Sequence, residues 1–434
     1  MAVLGALVGC GGEGGADDSG GSTGGAVSGS GGAASDTGGT TASGGSGDPG
    51  TGGSASTGGS SAGTGGTGGG SSAYLPDFCD GLATAPAGDQ WQTDRVFYEN
   101  GKLTYTSDGE QNRVPDFSYA GYRYGASPIP DVEVIETVSP VEGDDTQTIQ
   151  AALDRVGALE RDENGLRGAV ELAAGTYDIG GQILLNQSGV VLRGAGPGSD
   201  AASNSILRIT GTSTRTAVRL GSGNGTPWSR GTGVNVTTPF VPVGSKSFDV
   251  QSASSFAVGD EVIVRHPSSQ AWIDAVDGGA TGSDADWQAG TKDLLWVRRV
   301  VGIAGNTLTL DAPVYNQLDG SLTTAVVHPM TNKGYRTEIG LENLRIDIQT
   351  LGGTDEAHSH DAVGVVGAED SWVRNVTVLH FMHAGVYTQG AARITIEDAV
   401  AIEPVGIRDG GRFYNFDAES ESHLILFTGC EAHD

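Results

Sequence analysis

Histidine, arginine and acidic side chains are concentrated in three short segments near the end of the sequence. These are LGGTDEAHSHD (351–361), HFMH (380–383) and EPVGIRDGGR (403–412). Imidazole transfers protons near neutral pH, guanidinium neutralises carboxylates, and carboxylates act as bases or bind cations. The residues of these segments that could do such chemistry are His358, His360, Asp361, His380, His383, Arg408, Asp409 and Arg412.

A repeat predicts how these segments are positioned. IGLENLRI, SWVRNVTV, ITIEDAVA and LILFTGCEA align on Asn343, Asn375, Asp398 and Gly429, at spacings of 32, 23 and 31 residues, which are typical of a solenoid. Asparagine, aspartate and glycine tolerate a left-handed backbone, so the aligned position is a turn where asparagines would form a hydrogen-bonded ladder. The polar segments follow the next strand. We therefore expect them on one face of the solenoid.

The first coil is predicted within residues 143–196. GDDTQTIQAALDRVGAL is amphipathic, with Ile149, Leu153 and Val156 on one side and Asp145 as the N-cap. The short apolar runs of GAVELAAGTYDIGGQILLNQSGVVLRGAG end at turn residues without the Asn-Gly or Asp-Gly of a hairpin. This pattern predicts a parallel β-helix whose first coil is covered by a helix.

The segments GDDTQTIQAALD, GTYDIGGQILL and SGVVLRGAG resemble the opening segment of the pectate-lyase-like superfamily. The resemblance is to the domain shared by rhamnogalacturonases, sugar epimerases and phage tailspikes. It implies an all-β, right-handed parallel β-helix with an N-terminal capping helix. It does not fix the chemistry, because the superfamily contains lyases, hydrolases and proteins that only bind glycans.

Three further segments, DFSYAGYRYG, EDSWVRNVTVLHF and GGRFYNF, resemble a bacterial subgroup of polysaccharide-active β-helix proteins. The site candidates that this resemblance supports are Asp370, Arg374, His380, Arg412 and Tyr414. The first segment also offers Asp116, Tyr119, Tyr122 and Arg123 as sugar contacts. We favour packing of these aromatic residues against the first coils over sugar binding.

The chain divides into four parts. Residues 1–10 are similar to the end of a truncated bacterial lipoprotein signal, in which Cys10 is lipidated. Residues 11–73 are almost entirely Gly, Ser, Thr and Ala, so we expect a disordered tether. Residues 74–135 are an extension that packs on the solenoid, and 136–434 are the solenoid with an antiparallel insertion at about 241–328. We expect an exported protein, either a lipoprotein of the outer membrane or cell surface, or a secreted one.

Charge and composition limit the partners. The formal net charge is −29, which makes nucleic acid an unsuitable partner. No apolar run reaches the length of a membrane span, so a membrane is contacted only through the lipid.

Cys79 and Cys430 could form a disulfide. The sequence stops at Asp434 directly after a strand, and because solenoids need capped ends we expect further coils or a partner chain there.

The insertion carries several tryptophans in and beside an acidic loop. Trp272, Trp287 and Trp296 could offer apolar faces to sugar rings, although buried tryptophan is commoner. The histidine spacings H-x-H and H-x-x-H could also ligate a transition metal, but such short pairs are weak signals.

We predict a surface-anchored enzyme that cleaves an extracellular polysaccharide, most simply a lyase acting on a uronate. Elimination needs a group that neutralises the uronate carboxylate, a base and an acid. Arg412 or Arg408 would neutralise the carboxylate, alternatively with Ca²⁺ on Asp361. The base would be His380 or His360, and the acid Tyr414 or His383.

Two alternatives stay open. A glycoside hydrolase of the same fold would pair Asp361 with Asp370 or Asp409. A non-catalytic, adhesin-type or glycan-binding β-helix would bind glycan without forming products. In the enzyme, the residues expected to bind the substrate are His358, His383, Tyr119, Tyr122 and Arg123. The acidic composition opposes a polyanionic substrate unless a basic cleft or a bound cation compensates.

Overall fold

The structure is a computed structural model that describes residues 93–99, 102–276 and 287–433. The predicted signal, lipidated Cys10, tether and Cys79 lie outside these residues. Within them, no helix is long and apolar enough to cross a membrane.

The chain folds into the predicted right-handed parallel β-helix, whose coils have three faces of parallel strands. Two long strands, Gly340–Ile348 and Ala368–Leu379, bend in the middle and belong to the first and second faces in turn. The other strands of the first face are Val134–Val138, Gly168–Leu172, Val190–Gly194, Arg336–Thr337, Ala392–Glu397 and Leu426–Thr428. The other strands of the second face are Gly175–Ile179, Ser205–Ile209, Val400–Ile402 and Glu431–His433.

The third face carries the strands that matter for the site. In chain order they are Ile183–Leu185, Thr216–Leu220, Asp361–Val366, Ala384–Gln389 and Tyr414–Ala418. They pair in parallel and in register, so side chains at equal positions stack from coil to coil. The last three of the connections from the second face to the third contain the three polar segments of the sequence.

The predicted turn ladder lies between the first and second faces. Asn343, Asn375 and Asp398 have φ of 54°, 52° and 50°, and Gly429 has 64°. Asn375 Nδ2 donates to Asn343 Oδ1 at 2.8 Å, so the side-chain amides continue the hydrogen bonding of the coils. A Cβ at Gly429 would lie 2.2 Å from Asp398 Oδ1, which explains the glycine there.

The helix Thr146–Gly157 covers the first coil as predicted. Ile149, Leu153 and Val156 are buried in the same apolar core as the inward-facing strand residues. The cap differs from the prediction, because Asp145 accepts from the amides of Val141 and Asp178 instead of from the helix. Asp144 Oδ1 takes that role by accepting from the amide of Thr146 at 2.9 Å.

The predicted insertion leaves the coil after Thr216–Leu220 and has a separate apolar core. It contains a short helix, Gln270–Ala275. Its antiparallel strands are Ser229–Arg230, Val234–Asn235, Phe240–Val241, Ser247–Asp249, Glu261–His266, Leu294–Ala304, Thr307–Leu310, Leu318–Asp319 and Val326–Thr331. Trp272 and Trp296 are buried, and Trp287 stacks on Trp272 with ring centres 6.2 Å apart.

The extension before the first coil begins with an antiparallel hairpin, Val96–Glu99 with Lys102–Tyr105. It continues to a 3-10 turn, Tyr122–Gly125, that packs on the first face. Tyr122 is buried with its ring edge-on to Trp372 at 5.2 Å. Tyr119 accepts from Lys246 of the insertion at 3.0 Å.

Candidate functional site

Backbone hydrogen bonds stack the polar segments directly on one another. The amide of His360 donates to Arg215 O at 2.9 Å, that of His383 to His360 O at 2.9 Å, and that of Tyr414 to His383 O at 2.7 Å. Four successive coils therefore meet at the start of the third face. The side chains that gather there, called the third-face site below, are Arg219, His360, Asp361, His383, Tyr387, Tyr414, Asp417 and Glu419.

Asp361 is the centre of this site. Its carboxylate is buried, and Oδ1 accepts from His383 Nδ1 at 2.8 Å and from His360 Nδ1 at 3.2 Å. Oδ2 accepts from Thr216 Oγ1 at 3.0 Å. The two imidazole rings stack with their centres 4.6 Å apart. Because an ionised carboxylate only accepts, both rings present Nδ1–H to Asp361 and turn Nε2 away from it.

Asp361 and His383 stabilise each other in their charged forms. Burial alone would raise the pKa of Asp361, but hydrogen bonds from His360 and His383 outweigh it and lower the pKa to about 2. The hydrogen bond to Asp361 in turn raises the pKa of His383. At mildly acidic pH the pair is a carboxylate and an imidazolium.

Two tyrosine rings lie near His383. The ring of Tyr414 is perpendicular to the imidazole at 5.5 Å, and 41% of Tyr414 is exposed. Tyr387 lies 6.4 Å away, and its hydroxyl is 3.2 Å from Thr216 Oγ1. A Cβ at Gly364 would meet the Tyr387 ring at 2.7 Å, so only glycine allows that ring to lie on the strand beneath it.

Two carboxylates that sequence reasoning missed complete the acidic side of the site. Asp417 and Glu419 lie at the end of Tyr414–Ala418, and Glu419 Oε1 is 3.9 Å from His383 Nε2. Burial raises the pKa of both carboxyl groups. Gln389 Nε2 donates to Glu419 Oε2 at 3.1 Å. The sequence pattern that could have indicated these two carboxylates is the alternation of polar residues in YNFDAE (414–419).

Arg219 is the cationic residue of the site and was also missed. The strand register places Arg219, Gly364, Tyr387 and Asp417 at equal positions on four adjacent strands. Its guanidinium is half-buried, and among the described residues it has no hydrogen bond or ion pair. A carboxylate from outside the chain could therefore bind there.

His380 and His358 do not join the site. His380 has φ of 62° and turns to the second face, where Nδ1 lies 3.0 Å from Asp347 Oδ1 and Nε2 lies 3.3 Å from Glu403 Oε2. The contact with Asp347 raises the pKa of His380. His358 is completely buried, and its ring contacts the carbonyls of Asp355 and Ser359 in its own loop.

The arginines of the last loop lie near the site but already have partners. Arg412 Nε is 3.3 Å from Glu356 and 3.9 Å from Asp409. The Arg408 guanidinium lies 5.2 Å from the centre of the Phe413 ring. These contacts make both arginines part of the loop structure.

Asp370 and Arg374 lie on the first face and hold structural ion pairs. Asp370 makes two hydrogen bonds with Arg393, at 2.8 and 2.9 Å, and is not brought together with Asp361. Arg374 contacts the fully buried Glu342 at 2.9 Å. Neither Asp370 nor Asp409 has a contact with Asp361 among the described residues, because Asp370 is bound by Arg393 on the first face and Asp409 lies in the last loop, 3.9 Å from Arg412.

Tyr122 and Arg123 also lie away from the site. Tyr122 Oη donates to Glu338 at 2.6 Å, and Arg123 contacts the same carboxylate at 3.0 Å. Both residues line a cavity of about 620 Å³ between the extension and the loop after the helix. That cavity mixes acidic and basic residues and contains none of the third-face site.

Comparison with known proteins finds only distant structural similarities. No protein-family model and no curated protein matches the chain. The tailspike protein gp49 from Pseudomonas phage LKA1 is 21% identical, with a TM-score of 0.42 over 66% of this chain and 39% of its own. The mannuronan C-5 epimerase AlgE4 A-module of Azotobacter vinelandii is 13% identical (TM-score 0.29, 68% and 50%).

Polygalacturonase from Erwinia carotovora is 11% identical, with a TM-score of 0.27 over 71% of this chain and 65% of its own. The parallel β-helix that the resemblance of the opening segment implies is seen directly in the strand pairing of this chain. The chain spans about two fifths of the length of the first structures that it matches, at 39%, 42% and 44%.

Proposed function

We propose that the third-face site cleaves a uronate-containing extracellular polysaccharide by β-elimination. The observation that carries the proposal is the pair of imidazoles held by Asp361 near two phenols, on the same face as a guanidinium that has no carboxylate partner in the described part of the chain. These are the chemical groups that elimination requires: a base, an acid and a cation for the substrate carboxylate.

The roles follow from which atoms are free. Arg219 binds the uronate carboxylate and stabilises the charge that develops on it. His360 Nε2, which has no partner among the described residues, takes the proton from C5. The C4–O4 bond breaks, a C4–C5 double bond forms, and the exposed Tyr414 hydroxyl gives its proton to the departing oxygen.

Other residues of the site position these groups. Asp361 fixes the orientation of both imidazoles, and Thr216 fixes Asp361 and Tyr387. Ca²⁺ on Asp361 fits the structure poorly, because both oxygens of this carboxylate already accept hydrogen bonds and Ca²⁺ needs six to eight oxygen ligands. No step of the proposed elimination uses it.

Hydrolysis is the second candidate, favoured by one observation. One carboxylate oxygen of Asp417 and one of Glu419 lie within 4.8 Å of each other and of a ring nitrogen of His383, and burial raises both pKa values. A carboxylic acid with a raised pKa beside a second carboxyl group is the arrangement used by glycosidases. This pair replaces the aspartate pairs predicted from the sequence.

The test incubates the purified full chain with acidic and neutral polysaccharides, and follows ultraviolet absorbance of unsaturated uronates together with new reducing ends. We expect both signals with an acidic glycan, and a loss of about 100-fold or more in His360→Gln and Tyr414→Phe. His380→Gln is the matched control and should retain activity. Reducing ends without absorbance would establish hydrolysis, and binding without products would establish a glycan-binding protein.

We also propose that the chain is exported and tethered to a membrane through Cys10. Incorporation of a labelled fatty acid into the protein expressed in a bacterial host should be abolished in Cys10→Ser. Equal labelling of both proteins would contradict the proposed anchor.

A further inference from the structure

The acidic half of the third-face site has a feature that elimination does not use. One ring nitrogen of His383 and one carboxylate oxygen each from Asp417 and Glu419 all lie within 4.8 Å of one another. All three side chains are only partly buried, so an ion could reach them. We propose that they bind one divalent transition-metal ion, of the class of Mn²⁺, Co²⁺ or Zn²⁺.

The distances suit a shared ion. His383 Nε2 and Glu419 Oε1 are 3.9 Å apart, too far for a hydrogen bond. Two ligand atoms that each lie about 2.1 Å from a metal are separated by up to about 4.2 Å. An ion between them would therefore need little movement of either side chain.

Hydrogen bonds orient two of the three proposed ligands, His383 and Glu419, through the atoms that would not bind the ion. His383 Nδ1–H donates to Asp361, which leaves Nε2, 3.9 Å from Glu419 Oε1, as the ring nitrogen that could bind a metal. Gln389 occupies Glu419 Oε2 and leaves Oε1, the atom nearer His383, available. A carboxylate behind a histidine is the usual outer partner of a metal ligand. His380 differs from His383, because both of its ring nitrogens already lie near carboxylates, those of Asp347 and Glu403.

The donor set indicates the kind of metal. One imidazole and two carboxylates suit first-row transition metals, whereas Ca²⁺ and Mg²⁺ prefer oxygen ligands alone. Three protein ligands also leave coordination positions open. Where the proposed elimination is correct, a uronate carboxylate could occupy one of them, which would offset the repulsion between an acidic substrate and this acidic surface.

The test measures binding without substrate. The untagged full chain, stripped with a chelator, is titrated with Mn²⁺ near neutral pH by calorimetry and electron paramagnetic resonance, and with Zn²⁺ by calorimetry. We expect one saturable site. Glu419→Gln and Asp361→Asn should each weaken it by about tenfold or more. His380→Gln, which alters the other histidine and carboxylate cluster, should bind normally.

Circular dichroism of each variant shows whether it is folded. Absence of saturable binding by the folded wild type, equal binding in Glu419→Gln, or tighter binding of Ca²⁺ than of Mn²⁺ would each overturn the metal site. The proposed elimination is tested separately. Metal binding without unsaturated products would support the metal site and contradict the lyase activity. Lyase activity without metal binding would support the lyase and contradict the metal site.

Discussion

Replacing Asp361 with asparagine tests the electrostatic centre of the third-face site. The substitution keeps the shape of the side chain and removes its charge. His383 then loses the carboxylate 2.8 Å from Nδ1, and His360 loses the one at 3.2 Å. The perturbation should therefore appear both in the stability of the protein and in the titration of His383.

The expected size follows from the depressed pKa. A fall from the ordinary 3.8 to about 2 corresponds to about 2 kcal/mol at about 1.4 kcal/mol per tenfold change in acid dissociation. For a lowered carboxyl pKa, this stability is present above 3.8 and is lost as the pH falls to about 2. The raised pKa of His383 reports the same interaction, present below its ordinary 6.5 and lost as the pH rises past its folded-state pKa.

Urea unfolding and NMR titration measure the two consequences, with a chelator present. Asp361→Asn should lower the free energy of unfolding by about 2 kcal/mol near pH 5 and by less near pH 8, and should lower the pKa of His383. Asp347→Asn is the matched control, because it removes the carboxylate that contacts His380. An unchanged pKa of His383 in Asp361→Asn would refute this electrostatic reasoning.

Three further predictions concern the fold and its ionisable groups. Asn375→Ala should lose about 1–3 kcal/mol of stability in thermal unfolding, from backbone strain at positive φ and a lost hydrogen bond, whereas Asn375→Gly should lose only the latter. Gly364→Ala should displace the Tyr387 ring and reduce turnover, whereas Gly302→Ala, whose Cβ would make only ordinary van der Waals contact with Thr309 at 3.5 Å, should not. Burial raises the pKa of Glu369 to about 7, so its stability contribution falls as the pH rises through 7. Glu369→Gln should therefore flatten the pH dependence of unfolding.

The convergence of distant segments was predictable because a solenoid repeats its geometry. The aligned turn at Asn343 and Asn375 set the phase of each coil, and loops at equal phase had to meet. In the structure, the amide of His383 donates to the carbonyl of His360, so these two segments lie side by side. The helix over the first coil followed from its apolar side in the same way.

The direction of individual side chains was not predictable from phase. His380 and His383 are three residues apart, yet a left-handed backbone at His380 turns it to the second face. Asp370 lies in EDSWVRNVTVLHF, which resembles a segment of polysaccharide-active β-helix proteins. Its partner in the structure, Arg393, is 23 residues away and could not be recognised from the sequence. The position of Arg219 depends on strand register across the insertion, which no local pattern encodes.

The mass of the reaction products tests the central claim most directly. Elimination releases oligosaccharides whose new non-reducing end is unsaturated, and the summed product masses equal the mass of the substrate. We predict such products from an acidic polysaccharide with the wild-type chain, and their disappearance in His360→Gln but not in His380→Gln. Products that have gained one water molecule per cleavage, or unsaturated products from both variants alike, would contradict the proposed chemistry of the third-face site.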